Sequence, residues 1–450
     1  MNVLFSNPPW WGKKVMARLP NISNPVRVHT AGVRAGSRWP WTGPVISAPD
    51  QFRAGDYLPY PFFMGYAATY VQKNTQANVF FRDSIALRDS YESFAQYVRK
   101  ISPEYFFIES ATPSWDHDQK VIRKLSKLYP HMKIVVTGPI ASKAKELLEQ
   151  NPIHAVIHGE YEKGAIEVLN GAQGIIRHNL LSKKEMNDAP FPWFDEEHAY
   201  LYWDANPKGQ LMPQAQVWSS RGCPYKCIFC VWPATMTGND PDGASRRTVR
   251  HYTPEYMEAF LKEITSKYTY RTIYFDDDTF NLGNRHVINM CNVMQKIGLP
   301  WSAMCRADTI KMETWKLMKD SGCFGVKLGF ESGNQFVVDK IVNKHLNLDY
   351  AAKVVHHLKE IGMSVHGTFT YGLPGETPQQ RQDTKQYIAS LPFDTIQQSG
   401  TAEIEGTPLA TLAAGGEIKN YDAAQTDENY VRNTDGAQKW REMNKDFQNS

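Results

Sequence analysis

The chain has 450 residues, and its 50 Lys and Arg nearly balance its 47 Asp and Glu, for a formal net charge of +3. Neither nucleic acid nor a membrane surface is therefore required as a partner on electrostatic grounds. Hydrophobic residues make up 42% of the chain, which is ordinary for a globular protein. No apolar run reaches the ~20 residues that cross a bilayer, and the length predicts two or three domains.

Residues 1–172 read as short apolar strands that alternate with amphipathic helices. Each strand ends in a turn rich in Pro, Gly, Asn, Ser or Thr. This pattern predicts a parallel, doubly wound, Rossmann-like sheet with its ligand crevice at the carboxyl ends of the strands. A polar loop is predicted over 12–56, between the first two strands. The predicted strands are 3–5, 78–81, 105–109, 133–136 and 155–157.

Residues 173–212 are punctuated by proline and predict a linker. A second series of strands with helical crossovers follows over 213–408 and predicts a partial (β/α)6 barrel of the TIM type, with its working face at the strand ends. Residues 409–450 are predicted to be a short C-terminal segment, either a weak helix or a loose tail. The predicted barrel strands are 216–219, 272–275, 301–304, 325–329, 365–370 and 395–396.

The strongest motif is the loop after the first barrel strand, where Cys223, Cys227 and Cys230 have the spacing CxxxCxxC. Three nearby thiolates can hold three corners of a 4Fe–4S cluster and leave the fourth iron without a protein ligand. Such an iron can bind and activate a molecule, whereas a cluster with four Cys ligands only carries electrons. This spacing therefore predicts chemistry at the cluster.

Zinc and disulfide interpretations of the cysteines are weaker. Zinc sites commonly use two CxxC pairs or Cys with His, and no second pair lies near this one. A disulfide needs an oxidising compartment, and the chain begins without an export signal, so we expect a cytoplasmic protein. Cys291, Cys305 and Cys323 have no ligand spacing and are predicted to be buried apolar residues.

Four further features follow the cysteine loop at strand ends. The acidic run 276–278 would be a solvated turn in the simplest interpretation, but three acids at the carboxyl end of a barrel strand indicate function. Arg306 could clamp a carboxylate, and Glu331 could accept hydrogen bonds from ribose hydroxyls. The glycines of the turn 371–377 would let the backbone approach an adenine or a methionyl group.

With these features in this order, residues 216–410 resemble the radical S-adenosylmethionine (SAM) superfamily. The resemblance implies that the amino and carboxylate groups of SAM chelate the open iron. One-electron cleavage then yields a 5′-deoxyadenosyl radical that abstracts hydrogen, while the protein positions the cofactor. The SAM-binding residues that the resemblance implies are Phe229, Asp276, Asp277, Asp278, Arg306, Glu331, Ser332, Gly372, Leu373 and Pro374.

Residues 1–172 look like the cobalamin-binding domain that precedes this barrel in one branch of the superfamily. The continuation VWPA at 231–234 resembles the hopanoid-associated and Mg-protoporphyrin-cyclase-like members. The DxHxxG signature is absent, so a cobalt face without a His ligand is expected, and His117 is predicted to start a polar helix. The implied cobalamin-binding residues are Pro8, Pro9, Trp10, Gly65, Asp83, Thr112, Pro113, Ser114, Trp115, Thr137, Gly138, Pro139, Gly159, Glu160, Tyr161 and Glu162.

Three functions are compatible with these motifs. The first is a cobalamin-dependent radical SAM methyltransferase that methylates an unactivated carbon or phosphorus through methylcobalamin. The second is a non-methylating relative, such as a ring cyclase or a rearrangement enzyme. The third, an Fe–S electron-transfer or binding protein, leaves the motifs around Glu331 and 371–377 without a reason.

We predict the methyltransferase, because methylation is the commonest outcome in the branch that the chain resembles. The expected partners are a small-molecule or peptide substrate and a reductant of the flavodoxin or ferredoxin type. No nucleic acid and no membrane span are expected.

Overall fold

The computed structural model describes residues 1–10, 15–17, 26–30, 44–45, 57–204, 206–238, 249–401 and 403–415. Most of the predicted 12–56 loop and of the predicted 409–450 segment lies outside these residues. The described parts of the loop are three short strands that form an antiparallel sheet. No helix among the described residues is long and apolar enough to span a bilayer.

The N-terminal half alternates strands and helices, as predicted. Its strands are β1 (Asn2–Asn7), β2 (Val15–Ala17), β3 (Val26–Thr30), β4 (Pro44–Val45), β5 (Tyr57–Leu58), β6 (Asn78–Asp83), β7 (Tyr105–Glu109), β8 (Lys133–Thr137), β9 (Ala155–Ile157) and β10 (Gly174–Ile176). Its helices are α1 (Phe62–Asn74), α2 (Tyr91–Ile101), α3 (Thr112–Leu128), α4 (Ala144–Gln150), α5 (Glu162–Leu169) and α6 (Lys183–Asp188).

Six of these strands form one parallel sheet in the order β10-β9-β8-β7-β1-β6. Because β1 lies between β6 and β7, the winding reverses beside β1. The carboxyl ends of β1 and β7 therefore border the topological switch point, where open α/β sheets bind ligands.

The sheet is covered on both faces, because successive residues of each strand point to opposite sides. Phe5 and Phe107 pack with α1 and α5 in one hydrophobic cluster. Phe106 and Ile108 pack with α2, α3 and α4 in another. This arrangement confirms the predicted doubly wound fold.

Strand β10 lies just past the predicted boundary at 172, within the predicted linker 173–212. A strand of three residues at the edge of a sheet has too short a pattern to be recognised in the sequence. The linker also contains α6 and a two-residue strand that pairs with β5.

The C-terminal half contains the predicted six-stranded parallel series. Its strands are β11 (Trp203–Asp204), β12 (Gln214–Val217), β13 (Ser220–Arg221), β14 (Arg250–His251), β15 (Thr272–Phe275), β16 (Trp301–Cys305), β17 (Cys323–Glu331), β18 (Ser364–Tyr371) and β19 (Thr395–Gly400). Its helices are α7 (Trp232–Thr235), α8 (Pro254–Lys267), α9 (Asn284–Ile297), α10 (Met312–Asp320), α11 (Leu348–Glu360), α12 (Pro378–Ser390) and α13 (Pro408–Ala414).

Strands β12, β15, β16, β17, β18 and β19 pair in this order, all parallel, which confirms the predicted partial barrel. Along β17, Val326, Leu328 and Phe330 lie in the apolar core that the barrel helices cover. Alternation therefore directs Lys327 into the barrel lumen. Lys327 forms an ion pair there with Asp204 of β11, so the segment that precedes β12 closes the amino-terminal end of the lumen.

Candidate active site

The cysteine loop follows β13 and packs over the carboxyl ends of the barrel strands. Cys223 is buried, whereas Cys227 and Cys230 are half-buried. The amide of Ile228 donates to the carbonyl of Val342 (2.9 Å), which follows β17. On the other side of Cys227, Asn343 Nδ2 donates to the carbonyl of Lys226 (3.2 Å), so loop residues on both sides of Cys227 are held at the barrel mouth.

Phe229 and Leu373 lie in one small hydrophobic cluster, which Val337, Val342 and Leu409 complete. The structure therefore brings together two predicted SAM-binding residues from motifs that lie more than 140 residues apart in the sequence. Gly372 and Pro374 flank Leu373 in the turn after β18, on the same side of the barrel.

Cys223 and Cys227 have different electrostatic surroundings, of which those of Cys227 favour the thiolate that binds iron. Burial, followed by the charge of Asp278, raises the pKa of Cys223 to about 11, and its Sγ lies 3.6 Å from the Thr279 hydroxyl. Arg306 and Lys344 are close enough to Cys227 for their charges to interact with its thiolate. Cationic neighbours favour the thiolate form that binds iron. The other three cysteines are buried, as predicted.

Across the described residues, no three His, Cys, Asp or Glu side chains converge on a single-ion site. A cubane does not require such convergence, because each thiolate binds a different iron.

Arg306 supports the cysteine loop. Its guanidinium stacks over Tyr225, at 3.8 Å from the ring centroid, and Tyr225 lies between the first two cysteines. Two of its nitrogens donate to Asp308, at 2.5 and 2.9 Å, and it also donates to the Lys344 carbonyl at 2.8 Å. Asp308 is thus the carboxylate that Arg306 clamps in this structure, and a contact with the SAM carboxylate stays a prediction.

The three acids of the 276–278 run point in different directions. Asp277 accepts hydrogen bonds from the Ser219 amide, the Ser219 hydroxyl (2.8 Å) and the Ser220 hydroxyl (2.5 Å). It thereby holds the entry to the cysteine loop. Asp278 lies beside Cys223.

Asp276 lies close enough to Lys327 and Asp204 for their charges to act on its carboxyl group. Burial raises its pKa to about 7, while Lys327 lowers the pKa and Asp204 raises it further. Lys327 thus forms its ion pair with Asp204, and its charge also acts on Asp276. Asp277 thus supports the cysteine loop, Asp278 lies beside Cys223, and Asp276 lies near the charged pair in the lumen. Only their adjacency in the sequence suggested that the three acids share one role.

Glu331 has a left-handed backbone conformation (φ 68°), which is uncommon outside glycine and costs of order 1–3 kcal/mol. Its carboxylate accepts from Lys344 Nζ and from the Thr370 hydroxyl, each at 2.9 Å. Strain of this kind concentrates at functional sites, which favours the predicted ligand role. Ser332 is different, because its buried hydroxyl bonds to Thr384 of α12 (2.9 Å) and supports the fold.

Sequence reasoning did not select Glu376, although the turn that contains it was noted. Neither carboxylate oxygen of this buried side chain has a hydrogen-bond partner of good geometry. Burial raises its pKa to about 7, although Arg381 and the nearby amides of Leu373 and Gly372 lower it. An unpartnered buried carboxyl group beside Leu373 suits a site that a ligand completes.

The barrel lumen is hydrophilic. Interiors of such barrels are ordinarily filled by branched apolar side chains, but here the inward positions carry hydroxyl, amide, imidazole and ammonium groups. In the floor row, Lys327 pairs with Asp204, and His366 Nδ1 bonds to the Thr395 hydroxyl at 2.7 Å. By strand register the floor row is Met304, Lys327, His366 and Thr395, and the row above it is Gly329, Thr368 and Gln397.

The upper row is partly accessible, whereas Lys327 and His366 beneath it are buried. A polar molecule inside the mouth of the barrel could thus form hydrogen bonds with both rows. Met304 is the one apolar side chain in these two rows.

At the switch point of the N-terminal sheet, Pro8 and Pro9 follow β1. The side chains of Ser6 and Asn7 are buried there, and Ser6 Oγ and Asn7 Nδ2 have no hydrogen-bond partner. Such groups are rare unless a ligand or water satisfies them. Gly138, with φ 88°, brings the turn after β8 close to the Ser110 carbonyl, where a Cβ would lie 2.5 Å from that oxygen. These observations fit a ligand in the crevice, such as the predicted cobalamin.

Several other predicted cobalamin residues have protein partners. Trp10 stacks on His117 (5.0 Å between ring centroids), and Asp83 accepts from the Tyr202 hydroxyl at 3.1 Å. Gly65 is required because the Tyr60 hydroxyl occupies the space of a Cβ. A packing requirement therefore accounts for Gly65 without a ligand.

The segment after β7 also makes internal contacts. Thr112 accepts from the Glu405 amide at 2.9 Å, Ser114 bonds to the Ser110 hydroxyl at 3.1 Å, and Trp115 packs on the sheet. Pro113 lies in the first turn of α3. Thr112 thus connects the N-terminal half with the end of the barrel.

The turns after β8 and β9 contain the remaining predicted residues. Thr137 and Pro139 flank Gly138, and Gly159 precedes Glu160. The Tyr161 hydroxyl donates to Glu109 at 2.9 Å. Glu160 and Glu162 bind Arg221 and Arg250 of the C-terminal half, two arginines that sequence reasoning missed.

A parallel α/β barrel whose first strand leads into a three-cysteine loop defines a class of cluster-containing enzymes. Residues 219–388 match the model of the radical SAM superfamily, so the chain carries a radical SAM domain. The match confirms the predicted enzyme class. It also confirms the 4Fe–4S cluster and SAM as cofactors, because this domain implies both. Which side chains hold them stays a prediction.

The chain is similar to the uncharacterised methyltransferase PH0819 of Pyrococcus horikoshii (26% identity over 370 residues, 78% of this chain and 77% of that protein). It is also similar to the cytidylyl-2-hydroxyethylphosphonate methyltransferase of Streptomyces wedmorensis (26% over 240 residues; 50% and 43%). The anaerobic magnesium-protoporphyrin IX monomethyl ester cyclase of Rubrivivax gelatinosus is a further relative (20% over 354 residues; 72% and 61%). The chain covers less than two thirds of the length of the last two proteins.

Two solved structures share the fold. One is the methyltransferase TsrM of Kitasatospora setae with cobalamin and a 4Fe–4S cluster bound (TM-score 0.61, 14% identity, 80% of this chain and 72% of that chain). The other is the cobalamin-dependent SAM radical enzyme OxsB with aqua-cobalamin and SAM bound (TM-score 0.56, 14%, 83% and 56%). At these identities the likeness is one of fold.

Proposed function

We propose that the protein is a cobalamin-dependent radical SAM methyltransferase that acts on a polar substrate. The observation that carries the proposal is the placement of a loop with three thiols at the mouth of a hydrophilic barrel. The crevice of the neighbouring N-terminal domain contains buried polar atoms that have no hydrogen-bond partner. The methyltransferase relatives and the fold shared with TsrM and OxsB support the proposal.

When bound, the cluster and SAM supply a radical that removes hydrogen, and cobalamin supplies the methyl group. In this proposal Cys223, Cys227 and Cys230 hold the cluster. Phe229, Leu373 and the strained Glu331 line the SAM site, where the Glu376 carboxylate is a further candidate to accept a hydrogen bond or pair with a cationic group.

The crevice of the N-terminal half is proposed to hold cobalamin between the turns after β1, β7 and β8. Ser6 and Asn7 supply the buried polar atoms that lack partners, and Gly138 lets the backbone of its turn lie close to the crevice. The domain limits 1–172 and 213–408 are kept as proposals.

The hydrophilic lumen supports methylation of a polar molecule over cyclisation of a tetrapyrrole. A flat apolar macrocycle would offer no hydrogen bond to the buried His366 Nε2, which has no hydrogen-bond partner in the structure, and leaving such an atom unsatisfied costs about 1–3 kcal/mol. The cyclase relative keeps the alternative open to test.

The reductant is proposed to be of the flavodoxin or ferredoxin type, because each cleavage of SAM consumes one electron. The cytoplasmic location stays a prediction.

Anaerobic reconstitution with iron, sulfide and hydroxocobalamin tests the proposal. A corrin absorption band that co-purifies with the protein supports the N-terminal assignment, and its absence contradicts it. After reduction with SAM, a methyltransferase should form about one equivalent of S-adenosylhomocysteine per bound cobalamin without any substrate. A cyclase should form 5′-deoxyadenosine without S-adenosylhomocysteine.

A further inference from the structure

Four buried charged side chains join the two halves of the chain directly before the first cluster cysteine. Arg221 and Arg250 lie on β13 and β14, which pair with each other. Glu160 follows β9, and Glu162 begins α5. Each side chain is at most 2% exposed, and two positive charges balance two negative ones.

The bonds among them form one connected network. Arg221 Nη1 donates to Glu160 (2.9 Å) and to Glu162 (2.6 Å), and Arg221 Nε donates to the Tyr252 hydroxyl at 3.0 Å. Arg250 donates to Glu160 and to the Leu181 carbonyl. Glu160 is therefore shared by the two arginines, and Arg221 bridges the two glutamates.

The charged state of the network is preserved despite its burial. Burial alone would raise the pKa of Glu160, but Arg250 and Arg221 hold that pKa below its ordinary value. The Arg221 guanidinium also lies 4.3 Å from the centroid of the Tyr66 ring, on α1 of the N-terminal half.

Burying four charges is costly, and apolar side chains of similar volume would join two domains at least as stably. A charge network also fixes orientation, because a planar guanidinium donates hydrogen bonds to carboxylates only along fixed lines. The position of the network shows which two parts of the chain it orients relative to each other. Arg221 lies two residues before Cys223, and Glu160 ends the turn after β9, at the crevice edge of the N-terminal sheet.

We propose that Arg221 is a positioning residue that, through Glu160 and Glu162, fixes the base of the cysteine loop to the crevice edge of the N-terminal domain. Retention of the cluster and occupancy of the crevice are then coupled. The coupling rests on the proposed function for the identity of the crevice ligand, whereas the fixing of the loop does not.

The test is the rate at which the reconstituted protein loses its cluster absorbance to an iron chelator under anaerobic conditions, with and without hydroxocobalamin. Glu162→Gln keeps the size of the side chain but removes its charge. Its cluster loss should be at least tenfold faster than in the wild type. Bound cobalamin should slow the loss several-fold in the wild type and leave it unchanged in the variant.

Glu149→Gln is the matched control, because Glu149 is exposed on α4 of the same domain, and it should behave as the wild type. Arg221→Lys keeps a buried charge but loses the planar fork and the Nε bond to Tyr252 that fix its direction, so it should lose the cluster faster and alter the electron paramagnetic resonance spectrum of the reduced cluster. This second variant decides the question if Glu162→Gln does not fold.

Wild-type rates of loss in a folded Glu162→Gln or Arg221→Lys protein would overturn the positioning role. If the wild type loses its cluster equally fast with and without bound cobalamin, the coupling is overturned. If the wild type shows no corrin band at all, the proposed function fails instead, and the rates without cobalamin still decide the role of Arg221.

Discussion

Replacing Asp276 by Asn is expected to stabilise the protein at alkaline pH. Burial raises the pKa of Asp276 to about 7 from the ordinary value of 3.8. A carboxyl group whose pKa is raised by folding weakens the folded state as pH rises, because the unfolded chain releases the proton more readily. The full rise, about 7 less 3.8, corresponds to about 4 kcal/mol. We expect about half of this, because the side chain is partly exposed and solvent screens it.

The loss of folding stability caused by Asp276 begins near its ordinary pKa of 3.8 and is complete above about pH 7. Chemical denaturation of the wild type and Asp276→Asn at pH 5 and pH 8 measures it. The variant's advantage in free energy of unfolding should grow by about 1–2 kcal/mol between these pH values. Asp320→Asn removes an exposed carboxylate paired with Lys316 and should show little change with pH. A variant less stable than the wild type at pH 8, or a difference independent of pH, would refute the reasoning.

Three further changes test other parts of the structure. Cys227→Ala should abolish the cluster and 5′-deoxyadenosine formation yet keep the corrin band, and continued 5′-deoxyadenosine formation would place the site elsewhere. Lys327→Met leaves the buried Asp204 carboxylate unpaired and should cost about 3–5 kcal/mol in urea unfolding, with recovery when Asp204→Leu is added; no loss would contradict the pairing. Gly65→Ala should lower the melting temperature even in cobalamin-free protein, since its Cβ overlaps the Tyr60 hydroxyl; loss of corrin binding alone would restore the ligand role of Gly65.

The predictions that succeeded rest on local patterns. Five of the six strands of the N-terminal sheet and all six barrel strands follow from apolar runs bounded by turn residues, whereas β10 was missed because three residues at a sheet edge carry no pattern. The CxxxCxxC loop is likewise local, since its three thiols lie within eight residues of chain. The radical SAM domain and its two cofactors could thus be predicted without coordinates.

The partners of individual side chains could not be predicted where they come from distant parts of the chain. Glu160 and Glu162 looked like cobalamin residues because they follow a strand of the N-terminal sheet. The structure pairs them with Arg221 and Arg250, about 60 and 90 residues further along. No residue spacing in the sequence indicates such a distant ion pair.

The sequence by itself determined which strands form and where a cluster can bind, because alternation, turn chemistry and cysteine spacing act over a few residues. Only the tertiary structure decided the direction of each side chain at the strand ends. It separated the roles of Asp276, Asp277 and Asp278, and it showed that the lumen is hydrophilic. The physical reason is that a side chain's partner depends on which strands become neighbours, and that choice is made by the packing of the whole domain.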